Sequence, residues 1–71
     1  RRIERIEALR EEARNFIAAC PAPGIKELME RAEEHLRLAR GHARGGDLES
    51  GAAEAAIARN LFQRISEICA R

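Results

Sequence analysis

Three runs of apolar residues at spacings of three and four, divided by two backbone breakers, constrain this chain more than anything else in it. The first run is Ile3, Ile6, Leu9, Ala13, Phe16, Ile17 and Cys20, and it stops at Pro21-Ala22-Pro23-Gly24. The second is Ile25, Leu28, Met29, Ala32, Leu36, Ala39 and Ala43, and it stops at Gly45-Gly46. The third opens at Asp47 and passes through Ala55, Ala58, Leu61, Phe62, Ile65, Ile68 and Cys69. Spacings of three and four place side chains on one face of a helix. Pro21 disfavours the α conformation at Cys20, Pro23 suits the first position of a new helix, and glycine enters the left-handed conformation that ends one. The pattern therefore predicts helices over about 2–20, 24–44 and 47–70. None of these amphipathic helices can bury its stripe alone, and short connections force neighbours antiparallel. The expected architecture is an all-α, up-down-up three-helix bundle forming one domain over residues 1–71.

Composition supports this class and removes several functions. There are two Phe, no Trp and no Tyr, so little of what strands favour is present. The formal charge is +1, with acids and bases interleaved, which leaves no concentrated field for a polyphosphate backbone. Nucleic acid is not an expected partner. No apolar run approaches the roughly 20 residues that cross a bilayer, so neither is a membrane. The chain reads as soluble. It holds no nucleotide loop and no catalytic constellation, so neither enzyme activity nor a cofactor is expected.

In an up-down-up bundle Cys20 and Cys69 arrive at the same end, each on or beside the apolar stripe of its helix. A disulfide is the expected outcome, with two free buried thiols as the alternative. Such a bridge would suit extracellular or oxidising surroundings. His35 and His42 are seven residues apart, about 10 Å along a helix, and cannot share one zinc. The cysteines lie at the end opposite His42, so no metal site is expected. Glu54 falls within the apolar stripe of the third helix, flanked by Ala58, Leu61 and Gly51. It is expected to be a buried polar residue paired with Arg2, Arg5 or His42, because an isolated carboxylate is costly to bury. Four of the five glycines lie between positions 41 and 51. Gly45 and Gly46 read as a helix stop, and Asp47 as the cap of the next helix. Gly41 and Gly51, by contrast, fall inside helices, where they are expected to let backbones approach or to open a small pocket beside Glu54.

Two further stripes are displaced from the core faces. Arg31, His35, Leu38 and His42 lie to one side of the second helix, and Ala53, Ile57, Asn60 and Arg64 to one side of the third. In one bundle handedness both face the same outer groove, giving an apolar centre at Leu38 and Ile57 with a polar rim. In the mirror arrangement both turn toward the first helix and become ordinary core.

The joint Arg44-Gly45-Gly46-Asp47-Leu48-Glu49-Ser50, followed by an alanine-rich helix, resembles the helix-loop-helix joints of de novo designed three-helix miniproteins. The cysteine pair resembles their disulfide staples. The resemblance implies an engineered protein that recognises a target protein through two helices. A structural or stability scaffold, or a natural bacterial helical interaction domain, is the alternative. Gly41 and Gly51 depart from the design habit of keeping glycine out of helix interiors.

Overall fold

The structure is a computed structural model that describes residues 2–70, of Arg2 the backbone alone. Three helices follow in order: α1 (Arg2–Ile17), α2 (Ile25–Arg44) and α3 (Leu48–Cys69), packed as an up-down-up bundle with no strand among the described residues. The bundle is elongated, with principal extents of 39 × 21 × 14 Å.

The helix ends follow local chemistry, with two differences from the sequence reading. Helix α1 stops at Ile17, three residues before Cys20. Ahead of Pro21 the chain tightens, and the amides of Ala19 and Cys20 donate to the carbonyls of Phe16 and Ile17 in three-residue turns. Helix α2 begins after Gly24, whose φ of 78° is left-handed, so Gly24 rather than Pro23 makes the entry turn. Glu27 in its first turn faces the positive end of the helix dipole.

The α2–α3 joint behaves as the glycines suggest. Gly46, with φ of 85°, is the left-handed residue; its amide donates to Ala43 and that of Asp47 to His42, closing the orphan carbonyls of α2. Asp47 also caps α3, its Oδ1 accepting from the Ser50 amide at 3.1 Å. The charged carboxylate is the better acceptor there, so the Ser50 backbone amide holds the Asp47 carboxyl below its ordinary titration range.

The core comprises Ile6 and Ala13 of α1, Ile25, Met29, Ala32, Leu36 and Ala39 of α2, and Ala55, Ala58, Phe62 and Ile65 of α3. Phe62 is fully enclosed at its centre. Alanine-rich facing surfaces draw α2 and α3 together, while α1 leans mainly on α3 and touches α2 sparsely. Phe16 and Ile68, expected in the core from their spacing, stand 36% and 42% exposed. Each lies at the edge of its helix's apolar stripe, and three slender helices do not cover that edge.

At one end of the bundle Cys20 and Cys69 form a disulfide with a Cα–Cα distance of 5.3 Å. The bridge compensates for the small buried share of α1 by tying the segment after it to the last residue of α3.

Candidate functional face between α2 and α3

Ion pairs reveal where α1 sits. Arg10 and Arg14 of α1 both reach Glu33 of α2, at 3.1 and 2.9 Å, and Glu7 of α1 accepts from Arg40 of α2. Burial pushes the Glu33 carboxyl up, but hydrogen bonds and charge from Arg14 and Arg10 outweigh it and hold the group below its ordinary range. On α3, the residues beside Ile6 of α1 are Ala52, Ala55, Ala56 and Arg59, which border a shared cavity of about 230 Å³. Helix α1 thus covers the 33/40 side of α2 and the 52/59 side of α3.

The opposite sides of both helices meet without α1. There the His35 Nδ1 donates to Glu54 Oε1 at 2.5 Å, directly across the α2–α3 interface. Counting around each helix from this contact, Arg31, His35, Leu38 and His42 border the groove from α2. Ile57 and Arg64 border it from α3, about 60° and 80° around from Glu54, while Ala53 and Asn60, about 100° and 120° around, turn outward. This is the handedness in which the two displaced stripes share one outer face. Ile57 is 41% exposed there, Leu38 and the two histidines are half-buried, and Arg31, Ala53, Asn60 and Arg64 are exposed.

Several expectations need correction. Glu54 is half-buried and not a core residue, and none of the described polar or charged residues is buried. Its partner is His35, not Arg5 or His42; the Arg2 side chain lies outside the described residues. The reason is geometric. Glu54 stands on the flank of α3 turned away from α1, and the tight turn at Gly45–Gly46 sets an antiparallel register that levels residue 54 with residue 35.

The two helical glycines also separate. Gly51 is buried against the backbone of α2, where an added Cβ would lie 3.3 Å from the Ala39 carbonyl oxygen and 3.6 Å from the His42 Cβ. Gly41 faces open space. Of the two, Gly51 therefore serves the close approach.

Sequence reasoning missed two members of the face. Leu61, half-buried, and the exposed Ile68 continue the line of Ile57 along α3 toward the disulfide end. Their spacing also fits the core stripe, and Leu61 does pack against the core, whereas Ile68 is left exposed. A groove of about 320 Å³ opens on the other side of the molecule, between α1 and α2, with Ile17 and Met29 on its floor and Arg14, Lys26, Glu30 and Glu33 around it. Both cysteines are held in the bridge, and among the described residues no three His, Cys, Asp or Glu side chains gather as metal ligands would. None of the described helices is long and apolar enough to cross a membrane.

No protein-family model matches the chain, and comparison with curated proteins and with solved structures produced no significant match, so the chain's similarity to other proteins assigns it no family.

Proposed function

We propose that the chain is a protein-recognition module of the designed miniprotein kind, which binds a target protein through the α2–α3 face. One observation carries this reading. The His35–Glu54 contact aligns two displaced stripes on a single face that α1 leaves uncovered, with Ile57 41% exposed at its centre. Core packing does not require an aliphatic side chain there, and the buried centre of an interface is richer in such groups than its rim. Rigidity supports the reading further. Gly51 seats α3 against the α2 backbone, and the joint at Gly46–Asp47 leaves few conformations to lose on binding. The module is proposed to act by contact alone, with His35 and Glu54 fixing the register of the face rather than performing chemistry.

The test is a selection against the immobilised protein from a large library of displayed helical peptides, followed by epitope mapping with variants. Leu38→Asp and Ile57→Asp are expected to weaken binders about 30-fold, the equivalent of about 2 kcal/mol at a central anchor. Changes in the α1–α2 groove, such as Lys26→Ala, should leave them unaffected. Binders that survive both aspartates yet are lost on Lys26→Ala would place recognition on the other side of the bundle.

A further inference from the structure

We propose that the Cys20–Cys69 bridge is a redox switch for exchange of α1 between chains. Closed, it holds the monomer; opened, it lets α1 dock on the α2–α3 hairpin of a second copy.

Apart from the bridge, α1 is lightly held. Among the described residues it gives only Ile6 and Ala13 to the buried core, and it touches α2 sparsely. Its ion pairs with Glu33 and Arg40 join half-buried or exposed side chains, and pairs of that kind contribute little. The bridge lies at one end of the bundle, and both cysteines are half-buried, so neither is enclosed in the core. A dithiol opens it in two exchanges. The reagent's thiolate bonds to one cysteine sulfur and releases the other, and its second thiol then displaces the mixed disulfide. Two electrons and two protons pass to the cysteines, and the reagent leaves as a cyclic disulfide. Helix α1 is then tied to the hairpin by residues 18–24 alone.

The surface that α1 leaves behind selects what fills it. Glu33 stands where Arg10 and Arg14 meet it, Arg40 stands where Glu7 meets it, and on α3 Ala52, Ala55 and Ala56 border Ile6. This imprint fits the first helix of this sequence, whether the chain's own or a second copy's, with the same contacts in either case. The connector brings the second copy within reach. Residues 18–24 form no helix, and Pro21 and Pro23 favour extended backbone. Opened out, seven residues span about 22 Å, more than twice the roughly 9 Å between packed helix axes. Reciprocal exchange rebuilds both bundles and sets Cys20 of each chain beside Cys69 of the other. It loses no contact, so protein concentration competes directly with the roughly millimolar effective concentration that a short connector gives the chain's own α1.

The experiment mixes equal amounts of the protein and a nitrogen-15-labelled copy and reduces them together with excess dithiothreitol. The reductant is removed and the cysteines are reoxidised with oxidised glutathione, a disulfide that takes up two electrons and leaves as two thiols. A covalent dimer is expected beside the monomer, about half of it pairing a labelled with an unlabelled chain. Peptide maps should show it bridged from Cys20 of one chain to Cys69 of the other, and its helical circular dichroism per residue should match the monomer's. Its share should rise at least fivefold as the protein present during reduction goes from about 20 µM to about 1 mM. The reoxidised product is what is read, so the result holds whether or not the reduced hairpin stays folded. Return of monomer alone at the highest concentration would overturn the proposal. So would dimers bridged Cys20 to Cys20 and Cys69 to Cys69 as often as Cys20 to Cys69, which is random pairing of thiols. A dimer that reoxidises to bridges within each chain would be an association of intact bundles, again with no exchange. Mixed covalent dimers formed without the dithiol would remove the bridge from control of the process.

Discussion

Opening the Cys20–Cys69 bridge should cost this bundle a large part of its stability. The bridge joins residues 49 apart in sequence. On the chain-entropy treatment, closing such a loop removes about 14 cal/mol/K from the unfolded chain, or about 4 kcal/mol at 25 °C. A domain of this size has a total stability of about 4 to 11 kcal/mol, so the loss is comparable with the whole. Its effect should concentrate on α1, which contributes only Ile6 and Ala13 to the buried core among the described residues and touches α2 sparsely. The α2–α3 hairpin has the larger shared surface and should retain more helix. Urea unfolding followed by circular dichroism measures the effect. Reduced wild-type protein and Cys20→Ser/Cys69→Ser should be compared with the oxidised protein, because serine at these half-buried positions adds a polar cost of its own. With an m value of about 1 kcal/mol/M, the midpoint should fall by about 4 M or the chain should unfold without denaturant. A fall of less than about 1 M in both samples would refute the reasoning, and would mean that α1 is held by its packing alone.

Gly41→Ala should stabilise by about 0.5 to 1 kcal/mol, since its new methyl meets open space in a helix interior. Gly51→Leu should destabilise by more than 1 kcal/mol, because the side chain must start 3.3 Å from the Ala39 carbonyl oxygen; thermal melts that rank the two alike would contradict the close approach. Asp47→Ala should destabilise the fold by removing the cap on α3, as a lower denaturant midpoint would show. The folded state holds the carboxyls of Glu33 and Asp47 below their ordinary ranges, so each contributes stability that is complete above its unfolded titration and lost as pH falls through the folded one. Unfolding midpoints should therefore decline below about pH 4, less steeply in Glu33→Gln; an identical slope in that variant would remove Glu33 from the account.

The amino-acid sequence by itself determined the number of helices, their order and most of their buried faces. Periodic apolar spacing and strong breakers act over a few residues, so they can be read without knowing what lies across the bundle. The Asp47 cap, the left-handed glycine at the second joint and the meeting of the two cysteines are legible for the same reason: each follows from local geometry or from antiparallel order. The partner of Glu54 was not, because it depends on the register between α2 and α3, which Gly51 and the turn at Gly46 set together. Only the tertiary structure decided the hand of the bundle. Either hand buries nearly the same stripes, so apolar pattern does not distinguish them. What differs is which flanks α1 meets, and here its Glu7, Arg10 and Arg14 find Arg40 and Glu33 on one flank of α2. That placement leaves Leu38 half-buried and Ile57 exposed on the far side, where the opposite hand would have turned both toward α1.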